Sequence, residues 1–336
     1  MKRNVIFQGD ALAGLRTLPD ESVDMCMTSP PYWWLRDYGT DPLIWDEDPR
    51  CQHEWAVAST RMHSGRGDCQ KRALYADQQP IPDKRVLSAS CVKCGAWKGS
   101  LGLEPTPELF IAHLCDIFEQ VKRVLAPHGG CWVNLGDTYV GKSLRQIPSR
   151  FAIEMTNRGW LHRNTIVWHK TNAMPESCKN RFTRDFEEVH FFAKSPKYFF
   201  RQQQEDAKVG YQGTSFIPNS KHDGESKCRT AATSASRNNR TGEWIRKRNV
   251  RCVWSIPTAR CSEAHFATFP PELCQVPIDA GCPAGGIVLD PFFGSGTTGL
   301  VALKQDKGFV GIELNPEYID LAVRRLDPFM PVILAE

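Results

Sequence analysis

Leu289-Asp290-Pro291-Phe292-Phe293-Gly294-Ser295-Gly296-Thr297-Thr298 carries a short apolar run through two glycines into a segment of helical character. Residues 287–289 read as a buried strand and residues 297–304 as a helix. The loop between them therefore lies at the carboxyl end of a strand, where open α/β sheets bind their ligands. Gly294 and Gly296 let the backbone approach a ligand closely, and the helix start offers free amides. A nucleoside triphosphate loop needs Lys-Ser/Thr after its last glycine, and here that place is held by Thr297-Thr298. The next apolar run, Phe309-Val310-Gly311-Ile312, ends at Glu313. An acid about 20 residues beyond the glycines suits the hydroxyls of a ribose, although an acid at a helix start is its plainest reading. Asp290, Pro291, Phe292, Gly294, Gly296, Thr297, Thr298 and Glu313 are the candidate ligand contacts. Taken alone, they fit a dinucleotide as well as a methyl donor.

Outward from this loop the alternation continues. Residues 270–279 read as a helix, and Asn315-Pro316 as the capped start of another. At the other end of the chain, residues 4–8 read as a strand, 11–18 as a helix and 22–28 as a strand. That strand runs into Ser29-Pro30-Pro31, where two prolines fix φ, remove amide donors and stop it. Thr106 and Pro107 mark the start of a helix with Leu109, Phe110, Ala112, Leu114, Ile117, Phe118, Val121 and Leu125 on its buried side. It is expected to end near Pro127-His128-Gly129-Gly130, before a strand at 131–135. A helix at 149–157 and strands at 161–168 and 187–193 complete the pattern. Such alternation predicts one open α/β sheet, mostly parallel, with helices on both faces.

Residues 37–105 break the rhythm, being rich in Asp, Arg, Gly, Gln and Pro, and are expected to be an irregular insertion. The expected division is residues 1–40 with 101–200 as one half of the main domain and 252–336 as the other. Residues 41–100 are then an inserted segment and 201–251 a polar loop or small recognition element. No internal repeat is present.

The chain of 336 residues, 41% hydrophobic, can bury one large core and carry a second module. No apolar run approaches the roughly 18–20 residues of a spanning helix. Val5-Ile6-Phe7 is too short for a signal peptide. No membrane partner is expected, and the expected location is the cytoplasm. Of thirteen cysteines, Cys26, Cys115, Cys131 and Cys274 sit singly in apolar stretches, as reduced core thiols do. The net charge of +4 hides an asymmetry: residues 201–251 hold eleven Lys/Arg against five Asp/Glu, leaving about −2 for the rest. A basic stretch of this kind suits a polyanion, with Arg246, Lys247 and Arg248 as its candidate contacts. Its plainer reading is a solvated loop.

Cys51-x-His53 and Cys91-x-x-Cys94-Gly95 lie inside the insertion. Cys-x-x-Cys followed by glycine is a zinc-knuckle spacing, since the glycine lets the turn wrap a metal. Four sulfur and nitrogen ligands would explain how a segment poor in core residues folds, and a closed set would make the zinc structural. The plainer reading is two unrelated thiol pairs, and Cys69 or His63 are alternative ligands.

Ser29-Pro30-Pro31-Tyr32 at a strand end, followed far downstream by strand–Asp-Pro-Phe–Gly-Ser-Gly, resembles the amino-methyltransferases of DNA. Their hallmarks are (Ser/Asp/Asn)-Pro-Pro-(Tyr/Phe/Trp) and a glycine-rich donor loop. With the catalytic motif first, the chain is similar to the circularly permuted β group of that family, of type II restriction–modification or phage type. The resemblance covers most of the chain and implies a Rossmann-like S-adenosylmethionine-dependent methyltransferase fold. It implies that Gly9-Asp10-Ala11-Leu12 is the N-terminal element whose acid, Asp10, contacts the donor's adenine. Arg184-Asp185-Phe186-Glu187-Glu188-Val189 resembles a late element of the catalytic region. His265-Phe266-Ala267-Thr268-Phe269-Pro270 resembles the element that packs on the donor's methionine part, and the stretch 201–251 falls where the family reads its target. Double-stranded DNA is the implied partner, with room for a homodimer and a cognate restriction endonuclease.

The chemistry suits these residue types. An exocyclic amine is a poor nucleophile because its lone pair is delocalised into the ring. Ser29 and the Pro30 carbonyl can accept its protons and favour a pyramidal nitrogen, while Tyr32 offers a stacking face for a flipped base. In the family, Ser at the first position leans to N4 of cytosine and Asp to N6 of adenine, so cytosine is the expected target and adenine the alternative. A methyltransferase of protein glutamine or an RNA base also uses Pro-Pro-Tyr, but usually with the donor loop first. A non-enzymatic zinc-dependent nucleic-acid binder would leave the donor loop and Glu313 unexplained.

Overall fold

The computed structural model describes residues 3–61, 85–206, 236–237, 244–245, 247–258, 269–329 and 333–335. The chain divides into two compact units, Met1–Phe200 with Cys252–Glu336, and Arg201–Arg251. The larger unit is built on a nine-stranded sheet. In chain order its strands are β1 (Val5–Gln8), β2 (Val23–Thr28), β3 (Leu125–Leu135), β4 (Leu161–His169), β5 (Phe186–Ala193), β6 (Val253–Ser255), β7 (Ile287–Asp290), β8 (Gly308–Glu313) and β9 (Ile333–Ala335). They lie side by side as β6-β4-β5-β3-β2-β7-β8-β1-β9. Among the described residues only β5 runs against the others, pairing antiparallel with β3 and β4.

Among the described residues six helices cover the two faces: α1 (Ala11–Thr17), α2 (Pro107–Val124), α3 (Ile147–Asn157), α4 (Pro271–Gly281), α5 (Thr297–Lys304) and α6 (Pro316–Leu326). Strand alternation supplies one core to each face. Cys26, Cys131, Leu289 and Val310 pack under α1, α2 and α3 through Leu15, Phe110, Phe118 and Phe151. Met25, Trp132, Val288 and Phe309 pack under α4, α5 and α6 through Leu273, Val301 and Ile319. The helix starts are set locally. Thr106 accepts from the Leu109 amide at 3.2 Å, Asp10 from Ala13 at 2.9 Å and Asn315 from Glu317 at 2.9 Å.

One boundary differs from expectation. α2 stops at Val124, and β3 begins at once with Leu125, ahead of the Pro127–Gly130 turn. The register against β2 jumps from Val23↔Leu125 to Met25↔Gly130. Residues 126–129 therefore bulge out of the ladder, which is where a proline without an amide can sit in a strand.

The described residues of the insertion are not irregular. Leu43–Trp45, Trp97–Gly99, Arg85–Cys91 and Trp55–Arg61 form, in that spatial order, a four-stranded antiparallel sheet. It joins the main core through His113 of α2, whose imidazole stacks on Trp45 at 4.6 Å and Trp97 at 5.6 Å. Its Nδ1 lies 3.1 Å from Glu104 Oε1 and its Nε2 3.0 Å from Asp46 Oδ2. Burial alone would neutralise His113, but Glu104 and then Asp46 raise its pKa above the ordinary value. His113→Ala would strand the fully buried Glu104 without its ionic partner. A loss of about 3–5 kcal/mol in urea unfolding is expected, and a loss under about 1 kcal/mol would show the pair to be dispensable.

Candidate active site

The carboxyl ends of β1, β2, β7 and β8 open on one cleft. Asp10, Ser29, Pro31, Phe292, Gly294 and Glu313 all line it, so the glycine loop and the proline turn face the same space although the chain separates them widely.

The glycine loop is braced from within. Asp290 is buried and accepts from Thr28 Oγ1 at 2.5 Å, Thr298 Oγ1 at 2.7 Å and the Phe292 amide at 3.0 Å. Burial pushes its carboxyl up to about 6 against those three donors. Asp290 and Thr298 are thus struts of the loop, with no ligand-facing atom on the cleft wall. Thr297 is also buried, and its hydroxyl takes a 3.3 Å contact from Arg325, which holds the Ser295 carbonyl at 2.7 Å as well. The two glycines have different duties. Both adopt left-handed backbone, with φ of +51° at Gly294 and +78° at Gly296. A Cβ on Gly296 would press on Ala322 at 3.1 Å and Leu326 at 3.3 Å, so its smallness serves the packing of α6. At Gly294 the nearest atom to such a Cβ is the Phe292 carbonyl oxygen at 4.0 Å, which leaves room for a ligand to approach the backbone.

Glu313 lines the cleft while both carboxylate oxygens accept backbone amides, Gly294 at 2.6 Å and Asn315 at 2.8 Å. Burial raises its pKa in spite of those amides. Asp10 caps α1 and shares the same wall. An acid on each side of an open glycine, beside the flat ring of Phe292, suits a ligand with ribose hydroxyls and an apolar ring. Phe269 and Pro270 are described, whereas residues 265–268 of the same motif lie outside the described residues.

The proline turn is held by polar contacts that local pattern does not announce. Tyr32 donates its phenol to Glu187 Oε2 at 2.7 Å and accepts from Asn134 Nδ2 at 2.7 Å. Ser29 Oγ donates to the Tyr32 oxygen at 3.2 Å. Lys170 pairs with the other Glu187 oxygen and lies 4.8 Å from the Trp168 ring centre. Gly136 makes room for the Tyr32 ring, since a Cβ there would come within 2.5 Å of it. Trp33 and Trp34 both donate their indole N–H to the Glu104 carbonyl, at 2.9 and 2.6 Å. Leu43, Trp45 and Tyr38 add to the cleft wall, and burial pushes the Tyr38 phenol up to about 12. Sequence reading missed Asn134, Gly136 and Lys170. The available signal was a polar residue two places before a glycine at the end of an otherwise apolar strand.

Cys51, His53, Cys91 and Cys94 converge so that their ligand atoms lie within 4.8 Å of one another. Cys51 and Cys91 sulfurs are 3.9 Å apart, and Cys94 sulfur is 3.4 Å from His53 Nδ1. Gly95, at φ +82°, closes the turn with a 2.9 Å bond from its amide to the Cys91 carbonyl. Burial opposes the Cys91 thiolate, yet the amides of Cys94, Lys93 and Glu54 and the His53 ring bring it down to about 5. A soft, preformed donor set of this kind fits a tetrahedral divalent metal. Cys69 and His63 lie outside the described residues.

In the unit Arg201–Arg251, Gln204–Asp206 pairs with Lys247–Asn249 and Ser236–Arg237 with Trp244–Ile245, both antiparallel. Lys247 is exposed, whereas Arg248 donates to Glu205 at 2.8 Å. Arg246 lies outside the described residues. Among the described residues no helix is long and apolar enough to cross a membrane.

Comparison with known proteins agrees with this geometry. The profile of a DNA methylase family matches residues 23–324. The chain is 34% identical to the type II methyltransferase M.XycI of Xanthomonas campestris pv. cyanopsidis, over 97% of this chain and 88% of that protein. It is also 34% identical to the type II methyltransferase M.Cfr9I of Citrobacter freundii, over 96% of this chain and 87% of that one. Among solved structures, PvuII DNA methyltransferase (cytosine-N4-specific) shares the fold with a TM-score of 0.57 at 18% identity, covering 97% of this chain and 87% of that one.

Proposed function

Because the chain belongs to the DNA methylase family, we propose that it transfers a methyl group from S-adenosylmethionine to the exocyclic amino nitrogen of a base in double-stranded DNA, cytosine N4 in preference to adenine N6. One observation carries this reading: Ser29 and Pro31 of the proline turn line the same cleft as Phe292, Gly294 and Ser295 of the glycine loop. S-adenosylmethionine, when bound, supplies a methyl group made electrophilic by its sulfonium. Asp10, Phe292, Gly294 and Glu313, which line the cleft, would hold it, in the permuted order in which the catalytic strand precedes the donor strand.

On the substrate side, Ser29 Oγ and the Pro30 carbonyl accept the amine protons, and the two prolines keep that carbonyl aimed without reorganisation. Tyr32 offers the ring face that Gly136 does not cover to a base flipped out of the duplex. Direct transfer then depends on positioning rather than on acid–base groups. Ser29 favours cytosine over adenine as the first residue of the motif. Cys51, His53, Cys91 and Cys94 are assigned to a structural zinc, since four protein ligands leave no open position for catalysis. The type II naming of the relatives supports a place beside a cognate restriction endonuclease.

Methylation of mixed-sequence DNA, followed by nucleoside analysis, tests the whole reading. N4-methylcytosine is expected, N6-methyladenine would move the target to the alternative, and no methylated amine would overturn the proposal.

The unit Arg201–Arg251 is assigned to DNA contact. Replacing Arg246, Lys247 and Arg248 by glutamine is expected to weaken DNA binding and flatten its salt dependence. Each cation that meets a phosphate adds about 0.9 to the slope of log affinity against log salt. Lys247 should account for more of the change than Arg248, which already pairs with Glu205. An unchanged slope in binding titrations would place the DNA surface elsewhere.

A further inference from the structure

The hydrogen bonds around Tyr32 can be assigned in only one sense. Glu187 Oε2, as a carboxylate oxygen, can only accept, so the Tyr32 proton is committed to it at 2.7 Å. Asn134 reaches both the Tyr32 oxygen at 2.7 Å and Glu187 Oε2 at 2.9 Å, and it must present its amide nitrogen, because an amide oxygen would oppose the carboxylate. That donor takes one lone pair of the phenol oxygen. The other lone pair is left for Ser29, 3.2 Å away, which can meet it only by donating. Burial and the Glu187 charge push the Tyr32 phenol well above its usual value, so its proton stays in place. Lys170 holds the far oxygen of Glu187 and fixes the head of the chain.

We infer that the chain Glu187–Tyr32–Ser29 locks the Ser29 hydroxyl as an acceptor towards the cleft, so that the site selects a base edge carrying an amino group and rejects one carrying a carbonyl. This rests on the methyl-transfer reading of the same cleft and adds Glu187 and the Tyr32 hydroxyl to it as positioning groups. The hydroxyl is a feature of this chain rather than of the motif, which also admits Phe in place of Tyr. With its proton spent on Tyr32, Ser29 presents lone pairs alone to the cleft. A cytosine N4 amine donates to them; a uracil O4 can only accept, and the two acceptors then face each other unpaired, which is the costly arrangement in a desolvated site.

The test uses Tyr32→Phe and Glu187→Gln in the full chain. It also uses duplexes whose target base, mapped beforehand by the wild type's own methylation, is either cytosine or uracil. Adenine and hypoxanthine form the corresponding pair if the mapped base is adenine. Tyr32→Phe frees the Ser29 proton to donate. Glu187→Gln lets the new amide donate to Tyr32, which reverses the chain. Each variant is expected to narrow the amine-over-carbonyl binding ratio by about tenfold and to slow single-turnover methylation by a similar factor. The double variant should be no worse than Tyr32→Phe alone. A purely structural role would weaken both duplexes equally and leave the ratio at its wild-type value. That result, or additive losses in the double variant, would overturn the inference. If the wild type methylates no amine at all, the functional reading fails before any variant is compared, so the two failures are distinct. Should Glu187→Gln not fold, Tyr32→Phe decides alone, since Phe occupies the same ring volume.

Discussion

Ser29→Ala is expected to lower turnover by about 10²–10³-fold while S-adenosylmethionine affinity, read by calorimetry, stays at the wild-type level. Ser29 follows β2 on the cleft wall, and its oxygen is one of two acceptors proposed for the amine protons. Removing it leaves the Pro30 carbonyl alone to favour a pyramidal nitrogen, a loss felt in the transition state more than in the ground state. Donor affinity should hold because the glycine loop is braced by the side chains of Thr28, Thr298, Glu313 and Arg325, in bonds that do not use the Ser29 hydroxyl. Unchanged turnover would remove Ser29 from the chemistry. A parallel loss of donor affinity would instead make it a structural residue.

Removing the proposed zinc should have the second large effect. Zinc bound by Cys and His in small domains contributes about 10–16 kcal/mol of apparent free energy at neutral pH, comparable with the whole stability of a domain. The four ligands sit at the ends of the insertion's strands and in its Cys91–Gly95 turn. Chelation or Cys91→Ser is therefore expected to open the four-stranded sheet first, raising amide exchange in residues 43–56 and 89–99. Leu43 and Trp45 share the cleft wall, so donor affinity should fall with it. Metal analysis should return one zinc per chain. A metal-free protein with unchanged exchange and melting would refute the site.

The main sheet was legible because its signals are local. Thr106-Pro107 and Asn315-Pro316 start helices through their own hydrogen bonds and φ preferences. The run Ile287–Asp290 into Gly294 announces strand and ligand loop within a few residues. The insertion was not legible, because two of its strands have only three residues and it is anchored by widely spaced tryptophans rather than by continuous alternation. Trp45 and Trp97 become core residues only when His113 of α2 stacks against both.

By itself, then, the sequence determined that a glycine loop ends one buried strand and a proline turn ends another, with Ser29 and Gly294 at the two tips. Strand order decided the rest. It put both tips on one cleft, turned Asp290 inward as a strut and gave Glu313 to backbone amides. It also brought Glu187 within 2.7 Å of a tyrosine 155 residues away. Periodicity reports which face of an element is buried. A hydrogen-bond partner on another strand depends on which strands become neighbours, and the packing of the whole sheet settles that.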